Sequence, residues 1–335
     1  MPKLWMRQAI SLALERELES DPTVFLLGED IAAAGGVFKT TEGLLEKFGA
    51  ERVRDTPISE TGFLGMAVGA AMAGARPVVE IMFMDFLGVA FDQLVTQAAK
   101  TRFLSAGQYT CPIVVRGSAG HGLGFGAQHS QSVESWALST AGLKIAIPSD
   151  VTTAYGLLRA AVRDPDPVLI LEPRVLYQAR QEFDEAEAAK IELGRAATLT
   201  AGSDVTVLAL GAAVQKAVAA AEIAGASVEV IDLRTLRPLD RPAVLESVSR
   251  TGRLVTVEDG PHTGGWGASV VADIASRTHG DLRAPALRLT SPDVPVPYAE
   301  SLEAMMAPSA VQIAALIDDL VAGQSVAPEW WEATA

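Results

Sequence analysis

Thiols and imidazoles are scarce in this chain, with one cysteine, Cys111, and four histidines among 335 residues. A disulfide within the chain is therefore impossible, which fits a reducing compartment, and little material remains for a zinc site. Positive charge is also short: 27 Lys and Arg against 41 Asp and Glu leave a net charge of −14. That is the wrong sign for tracking a phosphate backbone, so no nucleic-acid partner is expected. The same acidity suits solubility and docking to a basic partner. No uninterrupted apolar run approaches the ~20 residues of a membrane span, and none is expected. The N-terminus, MPKLWMRQAISLALERELESDP, is broken by Arg7, Glu15, Arg16 and Glu17, and reads as an amphipathic helix rather than a signal peptide. A cytoplasmic location is the expectation.

What is present is ample apolar material, 49% of the chain, enough for two cores at this length. Segments 24–30, 77–83, 111–117, 143–149 and 167–173 read as buried strands, and 61–75, 85–105 and 151–164 as helices. Apolar strands alternating with helices predict an α/β fold with a parallel sheet covered on both faces. The first domain is assigned to residues 1–178 and a charged linker to 179–194. A smaller α/β domain follows over 195–323, with strands at 204–211, 227–234 and 253–260 and helices at 267–280 and 307–323. Residues 324–335 form a tail in which Trp330 and Trp331 either dock on a partner or pack on their own chain.

Several features could carry chemistry, and each has an ordinary alternative. The glycine-rich stretches GSAGHGLGFGAQ (117–128) and GGWGAS (264–269) lack the full dinucleotide spacing and the phosphate-loop lysine. Free N–H groups at a helix start after glycines can still hold an anion. Glu60, in RVRDTPISETGFLG, falls where ligands bind in open α/β sheets, beyond the carboxyl ends of strands. The residues alone favour the reading of a first-turn acid facing a helix dipole, and the same pair of readings applies to Glu29 and Asp30. His129, in GFGAQHSQSVESW, is placed for proton exchange or for a local backbone bond near a helix start. His121, across flexible glycines, is a poor zinc partner for it. Asp164 and Asp166 in AAVRDPDPV read as a helix stop and turn, or as part of a hard-cation site.

The segments LLGED, RVRDTPISETGFLG, EIMFMDFLGVAFDQLVTQAAKTRF, AQHSQS, RDPDPV, VIDLRTLRPLD and VTVEDG occur in an order that resembles one family. It is the beta subunit of the thiamine-diphosphate-dependent decarboxylase component of 2-oxo acid dehydrogenase complexes, of pyruvate, acetoin or branched-chain type. The resemblance covers about residues 4 to 322. It implies a pyrimidine-binding α/β domain, then a transketolase-type C-terminal domain, in an α2β2 heterotetramer serving a lipoyl acyltransferase core. By resemblance, Glu60 contacts the cofactor's aminopyrimidine ring, Met82 and Phe86 line its pocket, and His129 is a catalytic histidine facing the substrate and the lipoyl arm. A potassium site is implied at Ile113, Ala161, Val162, Asp164 and Asp166, much of it main-chain carbonyl.

The chain contains no Gly-Asp-Gly motif followed by asparagine, the segment that holds magnesium and diphosphate in thiamine enzymes. The alpha subunit is therefore expected to hold both, and this chain alone to be inactive. Methionine at position 82 and the AQHSQ segment resemble pyruvate or acetoin enzymes more than branched-chain ones, so a small 2-oxo acid, pyruvate first, is the expected substrate. Two rivals are the C-terminal half of a split transketolase and a non-catalytic scaffolding subunit that kept the fold.

Overall fold

A computed structural model of the chain describes residues 1–326 and 329–331. The chain divides into two compact units, Met1–Ala119 with Trp136–Leu193, and Gly120–Ser135 with Gly194–Ala335.

The first unit contains strands β1 (Lys3–Trp5), β2 (Val24–Gly28), β3 (Val53–Asp55), β4 (Arg76–Phe83), β5 (Val114–Ala119), β6 (Lys144–Ala146), β7 (Val168–Pro173) and β8 (Arg180–Glu182). Six of them form a sheet in the order β6-β7-β5-β4-β2-β3, parallel throughout. Strands β5 and β7 are buried along their whole length, as an apolar run covered on both faces must be. Helices Met6–Ser20 and Val151–Arg163 supply much of that cover. The first buries Met6, Ala9, Ile10, Ala13 and Leu14, spaced three and four apart, one stripe of a helix. The second starts at Asp150, whose side chain accepts from Thr153 N at 2.7 Å, satisfying an otherwise orphaned amide.

Two sequence readings need adjustment here. Residues 85–105 are helical but not one regular helix: α-helix at Leu87–Asp92 gives way to a π-turn at Gln93–Gln97 and a 3-10 turn before Thr101–Leu104. The charged stretch 179–194 also carries structure of its own. Strand β8 pairs antiparallel with β1, and Asp184 caps a short helix, Glu185–Ala188.

The second unit holds β9 (Ala197–Thr200), β10 (Val205–Ala209), β11 (Val228–Asp232), β12 (Thr235–Arg237), β13 (Leu254–Pro261) and β14 (Leu287–Ser291). Its sheet runs β14-β13-β10-β11-β9, parallel except where β9 pairs antiparallel on the β11 edge. Composition hid β9 and β14, because exposed and charged residues interrupt their apolar pattern. Residues 300–321 are apolar but break into Glu300–Glu303, Ala304–Met306 and Ala310–Val321. The longest piece has 12 residues, about 18 Å of helix against the ~30 Å of a bilayer core. In the tail, Trp330 is buried and its Nε1 donates to Thr290 O at 2.8 Å, while Trp331 stacks edge-on against it at 5.8 Å. Both rings thus pack on their own chain, leaving no apolar face at Trp330 for a partner. Residues 327–328 and 332–335 of the tail lie outside the described residues.

Candidate active site

In the first unit, Glu60 opens helix Glu60–Met72, just after β3, and is 9% exposed. Glu29 follows β2, and its Oε1 is buried without a hydrogen-bond partner. Burial raises the Glu29 pKa first, and the charges of Glu60 and Asp30 raise it further. The Glu29 carboxyl is thus disfavoured in its charged form by burial and by a neighbouring acid at this end of the sheet. A first-turn acid serving only the helix dipole would gain nothing from such a neighbour.

Met82 and Phe86 lie at and just beyond the end of β4. The Met82 carbonyl accepts from Ser118 Oγ at 2.5 Å, which ties that end to β5. Behind them, Phe83 meets Phe86 edge-on at 6.2 Å and Phe38 at 5.7 Å. The Arg174 guanidinium lies over the Phe83 ring at 4.9 Å. This stack braces the aromatic wall through packing and cation–π attraction.

Sequence reading missed a buried ion network beneath this end of the sheet. Arg116 is 1% exposed. It pairs twice with Glu172, at 2.7 and 2.5 Å, and also bonds Glu80. Tyr177 Oη donates to Glu172 at 2.7 Å, and Thr40 Oγ1 to Glu80 at 3.2 Å. Burial works against the Arg116 charge, but Glu172 and Glu80 outweigh it and hold the guanidinium charged. The signal was available: PVVEIMF, CPIVVRG and PVLILEP each carry one charge inside an apolar strand, and buried charges require partners.

The potassium oxygens are present, but each already has a partner. Ile113 O accepts from Val168 N at 3.0 Å and Ala161 O from Asp164 N at 3.2 Å. Arg76 Nη1 donates to Val162 O at 2.8 Å and to Asp164 O at 3.2 Å. The Asp164 carboxylate takes Lys144 Nζ at 2.7 and 2.5 Å, and Asp166 takes Arg102 Nε at 2.6 Å. Asp166 N donates to Asp164 Oδ1 at 2.9 Å, which is the turn geometry of a helix stop. These residues do not fit an ion held by the two carboxylates; only second lone pairs on main-chain carbonyls remain. Among the described residues, no group of three or more His, Cys, Asp or Glu is placed to hold a metal ion.

In the second unit, His129 is half-buried in the loop before helix Glu134–Leu138, and its amide donates to Gly126 O at 3.4 Å. His121 lies at the base of that loop with Nε2 buried and unpartnered, and burial lowers its pKa. Both glycine-rich stretches turn their amides toward the chain's own carboxylates. Gly267 N donates to Glu258 Oε2 at 2.9 Å, and Arg288 pairs with the same carboxylate. A Cβ on Gly267 would fall 2.0 Å from Glu258 Oε1, so the GGWGAS cradle is filled from within. Gly122 N and Gly124 N donate to Glu303, at 2.7 and 2.8 Å.

Glu134, also missed, is buried beside Gly260. Burial pushes its carboxyl from 4.5 up to about 7; its own amide opposes this, while Asp259 and Glu258 add to it. A folded-state pKa above the unfolded one contributes stability that is fully present below about 4.5 and lost as pH rises through about 7. Glu134→Gln, neutral at every pH, should therefore be more stable than the parent at pH 8, by on the order of 3 kcal/mol. Near pH 5 the gap should shrink to about 1 kcal/mol or less. Melting curves at both pH values check this, and a gap independent of pH would refute it.

Two family models match the chain: transketolase, pyrimidine binding domain, over residues 2–180, and transketolase, C-terminal domain, over residues 194–313. The chain is 45% identical to the mitochondrial pyruvate dehydrogenase E1 component subunit beta of Pisum sativum, covering 91% of this chain and 87% of that one. It is 44% identical to the 2-oxoisovalerate dehydrogenase subunit beta of Bacillus subtilis, covering 88% and 91%. It is 42% identical to the pyruvate dehydrogenase E1 component subunit beta of Rhizobium meliloti, covering 93% and 69%. A solved split gene transketolase, an inactive beta4 tetramer, superposes with a TM-score of 0.76 at 24% identity over 96% of this chain and 99% of that one, a likeness of fold alone. The two matched domains define a transketolase-like α/β protein. Within that class, the chain belongs to the family of beta subunits of 2-oxo acid dehydrogenase E1 components.

Proposed function

We propose that the chain is the beta subunit of an α2β2 thiamine-diphosphate-dependent pyruvate dehydrogenase that passes its acyl group to lipoamide on an acyltransferase core. The observation that carries this reading is the buried Glu60 carboxyl beside Glu29, whose Oε1 has no partner. A buried carboxyl at this end of the sheet is placed to hydrogen-bond an incoming ring nitrogen. Thiamine diphosphate, when bound, supplies the nucleophilic carbon and the electron sink for decarboxylation. Glu60 would hold a proton against the aminopyrimidine ring, and Met82 and Phe86 would wall that ring from water. The alpha subunit would hold the diphosphate and Mg2+, a reading supported by the lack of a Gly-Asp-Gly segment in this sequence. His129 would donate a proton or hydrogen bond as the acyl group leaves for lipoamide. Met82 favours a small acyl group. The relatives include both bacterial and mitochondrial proteins; for this chain we propose the cytoplasm. Its one thiol, Cys111, is pushed up to about 12 by burial, so no redox role is assigned to it.

His129→Ala in the reconstituted complex is expected to lower acyl transfer to lipoamide by about 10²-fold or more, with cofactor affinity nearly unchanged. Titration of the cofactor alongside lipoamide-linked turnover checks this. Weakened cofactor binding with full turnover at saturation would place His129 in the cofactor site instead.

A further inference from the structure

We propose that Glu303 is a positioning residue for His129, acting by clamping the glycine loop that carries it. The proposal rests on the reading of His129 given above. Glu303 is 4% exposed at the end of the short helix Glu300–Glu303. Its two carboxylate oxygens each accept a main-chain amide, Oε1 from Gly122 at 2.7 Å and Oε2 from Gly124 at 2.8 Å. Such charge-assisted bonds are the stronger kind.

Glycine recurs along the rising limb of the loop. Gly122, Gly124 and Gly126 all hold positive φ, of 110°, 71° and 70°, and glycine gives up the most conformational freedom when ordered. The base is closed by Gly120 N donating to Gln131 O at 3.2 Å, and the far limb by Ser132 Oγ donating to Asp259 O at 3.1 Å. A second contact comes from the same region as Glu303. A Cβ on Gly126 would fall 2.4 Å from the Tyr298 ring, so the backbone rests directly on that ring. The loop that carries His129 is therefore tied on both limbs, to Glu303 through Gly122 and Gly124 and to Asp259 through Ser132. Acyl transfer is sensitive to displacement of about 1 Å, at a cost near a hundredfold.

The test uses the reconstituted complex with Glu303→Ala, Glu303→Gln, His129→Ala and the double variant His129→Ala/Glu303→Ala. Lipoamide-linked turnover is measured beside decarboxylation with ferricyanide as acceptor, and amide exchange is followed over residues 120–131. Glu303→Ala is expected to lower lipoamide-linked kcat about tenfold to a hundredfold. KM for the 2-oxo acid and the ferricyanide rate should stay within about twofold, because a positioning effect falls on the transfer step. Exchange at Gly122 and Gly124 should rise at least about tenfold. Glu303→Gln, which keeps one acceptor oxygen, should be intermediate in both readouts. The double variant should be no slower than His129→Ala alone, because the clamp acts through that histidine. An equal loss from Glu303→Ala in both backgrounds would overturn the proposal. So would unchanged exchange at the two glycine amides. Full acyl transfer by His129→Ala would overturn the role of His129 itself, and the positioning role with it, even if exchange showed the clamp to be real.

Discussion

Glu60→Gln is expected to lower turnover of the reconstituted complex by about 10²–10⁴-fold, the usual span for losing a positioned acid–base group, while leaving the fold intact. Glutamine keeps the size and hydrogen-bonding capacity of glutamate but cannot share a proton. The two readings of this residue make opposite forecasts. If Glu60 only faced the helix dipole, the amide would cost stability of about 0.3–1 kcal/mol and leave turnover alone. In the structure Glu60 is buried and stands near Glu29, whose pKa is raised by burial and by Glu60. Removing one charge from that pair should leave the melting temperature equal or higher. Unchanged turnover with a lowered melting temperature would hand the residue back to the dipole reading.

The largest stability effect is expected at Arg116. Arg116→Met keeps volume and apolar bulk but strips the counter-charge from Glu80 and Glu172. Breaking a buried ion pair by removing one partner typically costs about 3–5 kcal/mol. The loss should depend on pH in a definite direction. Burial already raises the Glu80 pKa, and Arg116 is the main influence opposing that rise. Without it the folded-state pKa climbs further above the unfolded one, so the deficit is smallest at acid pH and grows as pH rises toward 8. Urea denaturation of parent and variant at pH 5.5 and 8 checks both size and sign. A deficit below about 1 kcal/mol would show that the network is not held by its guanidinium.

Arg116 also shows where sequence reading stops. The alternation of apolar runs and helical segments located β2, β4, β5 and β7, because a fully buried parallel strand is written as an apolar run. One charge inside each run was visible too, but not that three of them converge. That convergence depends on strand order, with β4, β5 and β7 adjacent, and order is a property of the whole sheet. Strands β9 and β14 left a weaker trace, since an edge strand carries polar residues that blur the period. The irregular helix at 85–105 reads as regular from periodicity alone. Its π-turn at Gln93–Gln97 slips the helix by a residue without changing which residues are apolar.

The candidate site divides in the same way. Glu60 and His129 stood out as polar residues at loop and helix starts, and family resemblance gave them roles. Glu303 did not stand out. It lies about 180 residues from the glycines it bonds, and a glutamate in SLEAMMAPS looks like any surface acid. Glu258 was hidden similarly, and its carboxylate explains Gly267 better than a nucleotide does. Acids at 164 and 166 looked like cation ligands, yet Lys144 and Arg102 neutralise them locally.

The central claim is that this chain supplies the proton-holding glutamate, and a partner chain the diphosphate site, of one 2-oxo acid dehydrogenase. It is tested most directly by measuring lipoamide-dependent turnover of pyruvate, 3-methyl-2-oxobutanoate and acetoin by the chain alone and with a Gly-Asp-Gly-containing alpha chain. The account predicts no turnover by the chain alone, and pyruvate as the preferred substrate of the pair. Turnover by the isolated chain, or ketol transfer from xylulose 5-phosphate by the pair, would contradict it.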